Sequence, residues 1–355
     1  MPTGKNRPFS IGGVSIAPGE RQTVDLQMGK LYTHTELNMP VQVIHGRQKG
    51  PVLLVSAAIH GDELNGVEII RRLLQVKSLK RLKGTLVAVP IVNMYGFINQ
   101  SRYLPDRRDL NRSFPGSPKG SLAGRMAHFF LQEVVCQCTH GIDLHTGAIN
   151  RTNLPQIRAD LDDPETLALA EAFGAPLMMN MPLRDGSLRS AAVKNDIPIL
   201  LYEAGEALRF DEMSIRAGVR GILNVMKSLG MIAPQRRKKP SHQPVVARSS
   251  SWVRAPQSGI FRALVQDGER VQKGITLIGV VSDPFGEDQA EIVSPYTGIV
   301  IGQMMSPLVN EGEALFHIAR FARSDLAEAH VERFADDIQT DEQLPYDTDD
   351  IPDFP

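Results

Sequence analysis

At 355 residues, with 42% hydrophobic and 22% charged residues, the chain has the length of two domains and the makeup of a soluble globular protein. Its formal net charge of −1 gives no basic field to attract nucleic acid or an anionic membrane. No apolar run approaches the ~18 residues of a membrane span, and the start MPTGKNRPFSIGGVSIAPGE lacks the apolar stretch of a signal peptide, so a cytoplasmic location is expected.

Residues 10–50 carry short alternating runs such as TVDLQM and VQVIHG and are expected to form short antiparallel strands. PVLLVSAAIHG (51–61) is nearly continuous in apolar residues, as in a strand buried on both faces. GDELNGVEIIRRLLQ follows with Val67, Ile70, Leu73 and Leu74 at helical spacing. GTLVAVPIVN (84–93) is a second buried strand, and a Gly/Pro/Arg-rich loop runs from it to about 120. SLAGRMAHFFLQEVV (121–135), DPETLALAEAFG (163–174) and MSIRAGVRGILNVMKSLG (213–230) read as helices, GIDLHTG (141–147) and IPILLYEAGE (197–206) as strands. Cys136 and Cys138, in VVCQCTH, read as small buried side chains rather than a redox or metal pair. Strands alternating with helices over 1–232 predict an α/β domain whose mixed sheet is flanked by helices.

Residues 233–251, rich in Pro, Ser and basic side chains, are expected to be a linker, with the RRKK cluster simply solvated. Residues 252–320 then hold an internal repeat: Ala255-Pro-Gln-Ser-Gly259-Ile260 is echoed 39 residues later by Ser294-Pro-Tyr-Thr-Gly298-Ile299. Two interlocked hairpin units, similar to a biotinyl/lipoyl-type barrel sandwich, are expected there. The stretch between the halves, DPFGEDQAEIV, has no lysine to accept a carried group, which leaves a structural or gating role. The acidic tail, 321–355, is expected to begin as a short helix and to be partly disordered.

Four segments carry chemistry. His60 and Glu63, three apart after a buried strand, can converge on one cation, and Zn²⁺ favours such an N/O mixture. His145, in Asp143-Leu-His145-Thr-Gly, is the natural third ligand unless it is a hydrogen-bonded core histidine; Asp143 can orient its ring. Two histidines and one glutamate leave a coordination position open for water. Glu203, in LLYEAGE, is a carboxylate at the end of an apolar strand and suits a general base that becomes a general acid; Glu206 is its more solvated competitor. The loop from Ser101 to Arg112 has four arginines, suited to a carboxylate or phosphate.

In order, H-G-D-E, R-Y with D-L-N-R-x-F-P-G, D-L-H-T-G and L-Y-E-x-G make the chain resemble the succinylglutamate desuccinylase/aspartoacylase family, which is related to the zinc carboxypeptidases. The resemblance covers roughly residues 35–320 and implies a zinc carboxypeptidase-like α/β fold with a β-rich barrel-sandwich-like domain after it. It implies one Zn²⁺ on His60, Glu63 and His145, with Glu203 as general base. Arg102 would polarise the scissile carbonyl, and Asn111 and Arg112 would bind the substrate carboxylate. The expected activity is hydrolysis of a small-molecule amide, an N-acyl amino acid bearing a carboxylate, with no nucleic-acid or membrane partner and a homo-oligomer allowed. Pro105-Asp-Arg-Arg108 lengthens the arginine loop, and AINRTNLPQIRAD after DLHTG also departs from the named enzymes, so the substrate label does not transfer. A metallocarboxypeptidase-like peptidase and a non-catalytic zinc-binding protein are the competing readings.

Overall fold

The computed structural model of the protein describes residues 4–234, 245–247 and 249–340; the RRKK cluster at 236–239, His242 and the acidic end at 341–355 lie outside them. A hairpin of β1 (Phe9–Ile11) and β2 (Val14–Ile16) precedes β3 (Arg21–Lys30) and β4 (Glu36–His45), which pair antiparallel. These two are longer than expected, because Leu37, Met39, Val41 and Val43 keep burying every second side chain along β4. Next come β5 (Gln48–Ala57), β6 (Lys83–Val89), β7 (His140–Gly147), β8 (Arg151–Asn153), β9 (Gln156–Ala159), β10 (Leu177–Asn180) and β11 (Ile199–Glu206). A further strand, β12 (Val245–Ala247), completes a nine-stranded sheet in the order β12-β10-β9-β11-β7-β5-β6-β4-β3. Pairs β5–β6, β5–β7 and β7–β11 are parallel, whereas β9 runs antiparallel to β11, so the sheet is mixed.

Among the described residues seven α-helices flank or follow it: α1 (Asn65–Leu73), α2 (Met94–Ile98), α3 (Leu122–Glu133), α4 (Pro164–Phe173), α5 (Leu188–Val193), α6 (Glu212–Ser228) and α7 (Ser324–Gln339). Along β5, Leu53 and Val55 enter a core with α1, α4 and α6, while Leu54 enters the opposite core with α3 and α5. That two-sided burial is why the strand's sequence is continuously apolar. Helix α4 starts on an Asp163 side chain that accepts from Thr166 N–H, with Pro164 in its first turn, and ends on left-handed Gly174.

The expected linker is shorter than 233–251. Val245–Ala247 add β12 in parallel register to Leu177–Met179 of β10, and Ser249–Arg254 form β13. The exposed edge of β10 offers backbone partners that a few β-branched residues can satisfy despite their polar flanks. The second domain continues with β14 (Gly259–Ala263), β15 (Arg270–Val271), β16 (Leu277–Ser282), β17 (Gln289–Val293), β18 (Gly298–Met304), β19 (Leu308–Val309) and β20 (Ala314–Arg320). One sheet runs β13-β20-β18-β15, with β8 of the preceding domain also on β18, and the other runs β17-β16-β14-β19. Between them lies a core that includes Phe261, Ile278, Leu315 and Phe316. The repeat has a shared physical role. A Cβ on Gly259 would lie 2.3 Å from Ser282 O, and one on Gly298 would lie 2.1 Å from Ala319 O, so each unit begins where a neighbouring backbone leaves no room.

The tail begins as a helix, longer than the short one expected. Helix α7 spans 16 residues, and its Phe334 and Ile338 are part of the first domain's core, with the Arg220 guanidinium 4.8 Å above the Phe334 ring. Among the described residues no helix is long and apolar enough to cross a membrane.

Candidate metal centre and catalytic residues

The carboxyl ends of β5, β7 and β11 lie side by side, with His60 and Glu63 after β5, His145 on β7 and Glu203 on β11. Strand β5 ends at Ala57, earlier than the sequence suggested, and His60 stands in the turn beyond it. Gly61 is needed there for close approach rather than for an unusual backbone angle: a Cβ would lie 1.9 Å from Gly96 C. Glu63 follows just before α1, and His145 comes from within β7. His60, Glu63 and His145 are buried, and one ligand atom from each lies within 4.8 Å of the other two.

The hydrogen bonds state the charge requirement. His60 Nδ1 is 2.7 Å from Glu63 Oε1 and His145 Nδ1 is 2.8 Å from Glu63 Oε2. The other ring nitrogens face carboxylates as well: His60 Nε2 lies 3.1 Å from Asp109 Oδ1 and His145 Nε2 lies 2.8 Å from Asp143 Oδ2. A neutral imidazole has one N–H and cannot donate to both carboxylates. Each ring therefore needs either a second proton or a cation at Nδ1. Burial opposes the charged ring at both histidines, yet Glu63 with Asp109 raises the pKa of His60, and Asp143 with Glu63 raises that of His145 well above normal. Burial would raise Glu63, but the two imidazoles hold it well below the usual carboxylate range. A divalent cation replacing the two Nδ1 protons satisfies the same carboxylates, so the donor set fits a metal.

Asp143 takes the orienting position expected for it. Asp109 lies 49 positions from His60 in the sequence, and only the folded arginine loop brings them together. Asp109 also anchors Arg102, accepting from its Nε at 3.2 Å and its Nη2 at 2.9 Å. The remaining nitrogen, Arg102 Nη1, lies 3.2 Å from His60 Nδ1 and 3.4 Å from Glu63 Oε1, at the edge of the metal centre.

Glu203 is the register partner of His145 across β11 and β7, and of Gln156 across β11 and β9. Its Oε1 accepts from Arg158 Nη1 at 3.1 Å and its Oε2 from Asn153 Nδ2 at 2.7 Å. Glu206 instead accepts from the backbone of Asn150 at the surface. Asn111 is buried and its side-chain carbonyl accepts from Leu188 N–H at 2.9 Å, which ties the arginine loop to α5. Arg112 is exposed; burial of part of its side chain, Arg184 and Arg102 lower its pKa, with Asp109 opposing them.

Arg158, Arg189 and Asn153 join the site although no motif in the sequence announces them. Arg189 is buried with no hydrogen-bond partner at Nη1, and burial followed by Arg158 lowers its pKa, while Asp160, Glu203 and Asp143 pull the other way. Its signal was a lone arginine among small residues in SLRSAAV. A separate cavity of about 1200 Å³, lined by Arg47, Lys80 and Lys83 among others, contains none of these residues.

Residues 49–229 match the succinylglutamate desuccinylase/aspartoacylase catalytic domain. The chain is 27% identical over 297 residues to the N-alpha-acetyl-L-2,4-diaminobutyric acid deacetylase of Halomonas elongata, covering 81% of this chain and 86% of that one. A succinylglutamate desuccinylase/aspartoacylase from Rhodobacter sphaeroides superposes with a TM-score of 0.75 at 28% identity, over 85% of this chain and 96% of that one. The ectoine utilization protein EutE (DoeB) from Ruegeria pomeroyi, solved with product bound, shares the fold with a TM-score of 0.74 at 23% identity, over 84% and 94% of the two chains.

Proposed function

Because the chain belongs to the succinylglutamate desuccinylase/aspartoacylase family, we propose that it is a zinc-dependent hydrolase that cleaves the amide bond of a small N-acyl amino acid. The observation that carries this reading is the buried His60–Glu63–His145 set, with a carboxylate behind each imidazole and Glu203 on the neighbouring strand.

His60, Glu63 and His145 would hold the zinc, and Asp109 and Asp143 would fix the rings that face it. Bound there, zinc supplies a Lewis acid that makes a water more acidic and favours negative charge on a carbonyl oxygen. Glu203 takes a proton from the attacking water and delivers it to the amide nitrogen as the C–N bond breaks, releasing a carboxylic acid and an amine. Arg102, braced by Asp109, donates to the carbonyl oxygen as charge develops. Arg112 and the amide nitrogen of Asn111 bind the substrate carboxylate, the Asn111 carbonyl ties their loop to α5, and the unpaired Nη1 of Arg189 offers a further donor.

The test is a substrate panel. Zinc-loaded protein is assayed for released amine with acetyl and succinyl amino acids, including N-α-acetyl-L-2,4-diaminobutyrate, and with blocked peptides. Turnover of N-acyl amino acids well above that of peptides is expected, whereas hydrolysis confined to peptides contradicts the reading in favour of a peptidase. Glu203→Ala is expected to lose turnover and keep its zinc.

A further inference from the structure

Glu203 owes one of its two hydrogen bonds to a strand that pairs with the C-terminal domain. The Arg158 that holds Oε1 comes from β9, inside the nine-stranded sheet. The Asn153 that holds Oε2 comes from β8, which pairs antiparallel with β18 of the second domain in the register Gly302↔Asn153, Gln303↔Thr152 and Met304↔Arg151. Three more bonds tie this segment to that domain. Leu154 N–H donates to Ile301 O at 3.1 Å, Gln156 Nε2 donates to Ile301 O at 3.2 Å, and the Thr152 hydroxyl donates to Asp267.

The row of side chains across this sheet is continuous. Trp252 is opposite His317, His317 is opposite Gly302, and Gly302 is opposite Asn153. Residues directly opposite one another project from the same face. Trp252 and His317 stack with ring centroids 4.5 Å apart, and Gly302 leaves a gap before Asn153. A Cβ on Gly302 would stand 2.8 Å from Asn153 Oδ1 and 2.7 Å from Thr152 O. The glycine thus leaves room for the amide group that donates to Glu203.

We infer that Asn153 is a positioning residue for Glu203, and that the C-terminal domain sets the carboxylate's place by gripping β8 at Gly302. The inference rests on the proposed role of Glu203 as base. A carboxylate held at one oxygen only is free to turn about its last torsion, and misplacement of the base lowers the rate of the chemical step more than substrate binding.

The test compares zinc-loaded wild type with Asn153→Asp, Asn153→Ala, Asn153→Gln, Gly302→Ala and Glu203→Gln. Zinc content and melting temperature are checked first; kcat and KM are then measured on the N-acyl amino acid that the wild type cleaves fastest. Asn153→Asp keeps the shape but has only acceptors, and it sets a second carboxylate against Glu203. It is expected to lose ~100-fold in kcat, more than Asn153→Ala, with KM changed less than ~3-fold, and Asn153→Gln recovers part of the loss by keeping the donor. Gly302→Ala is expected to lose ~10-fold in kcat with one zinc retained, although it lies in the other domain. Wild-type kcat in both Asn153→Asp and Gly302→Ala, or losses confined to KM, overturn the inference while an inactive Glu203→Gln leaves the base assignment standing. A Glu203→Gln variant that still turns over overturns both. Should Asn153→Asp fail to fold, Gly302→Ala and Asn153→Gln decide by the same kcat criterion.

Discussion

Asp109 and Asp143 touch no reacting atom in the proposed mechanism, yet each faces the far nitrogen of an imidazole proposed to hold the metal. By fixing the ring and raising its basicity, such a carboxylate strengthens the metal bond. Asp143→Asn is therefore expected to weaken zinc affinity by about 10–100-fold, measured by competition with a chromophoric chelator; unchanged affinity contradicts the role. The same charges fix the sign of the pH dependence. Because the carboxylates raise both histidine pKa values, protons compete for Nδ1 more strongly as pH falls, and zinc is released on acidification rather than on alkalinisation. Zinc retention that improves toward acid pH contradicts this. How much of the site the sequence discloses depends on sequence separation. Asp143 is two residues from His145 on the same face of a strand, and HGDE and DLHTG mark their own turn and strand. Asp109, Asn153, Arg158 and Arg189 come together only once the arginine loop, β8, β9 and α5 have folded, and no local spacing announces them.

Helix α6 packs closely on both α4 and α1 because it is notched. A Cβ on Gly221 would lie 2.2 Å from Phe173 Cε1, and one on Gly218 would lie 2.5 Å from Ile69 Cδ1. Two effects oppose each other in Gly221→Ala. Helix propensity favours alanine by ~1 kcal/mol, but overpacking against the buried Phe173 ring costs about 1–3 kcal/mol. The clash is expected to win, so the variant melts below wild type in calorimetry; a higher melting temperature contradicts this packing. The α/β alternation was legible because the segments of α1, α3, α4 and α6 read as helices and the central strands carry apolar runs, whereas α2 and α5, of five and six residues, are too short to show a period. β12 was not, since three residues in a basic, Pro-containing stretch carry no period, and only the edge of β10 makes them a strand. Helix α7 had a signal that its acidity masked: Ala327, Val331, Phe334 and Ile338 recur at helical spacing and are buried. Truncating the Phe334 ring to alanine is expected to destabilise the first domain by about 3 kcal/mol, read by urea denaturation; a change near zero means the helix is not docked.

The second domain grips the first along β8, and one side of that grip is a buried acid. Burial, opposed by the Thr152 hydroxyl, raises Asp267 from 3.8 to about 6. Below both values the group is protonated whether the chain is folded or not. As pH rises through that window the unfolded chain loses its proton first, so stability falls and the full cost is present above about 6. Asp267→Asn keeps the acceptor for Thr152 and is expected to raise the melting temperature at pH 8 by about 2–4 °C, with no gain below pH 4. An equal gain at both pH values contradicts a titration origin. The domain pair was foreseeable from the 39-residue echo of its Pro-x-x-Gly turns, but the crossing of β8 into the second sheet was not, because Arg151–Asn153 is too short to carry a period. The central claim, that His60, Glu63 and His145 hold the zinc on which amide hydrolysis depends, is tested most directly by titrating metal-free protein with zinc while measuring amine released from an N-acyl amino acid. Activity is predicted to rise linearly and level off at one zinc per chain in the wild type, and to stay at background in His145→Ala; turnover by metal-free protein, or by His145→Ala at the wild-type rate, would contradict it.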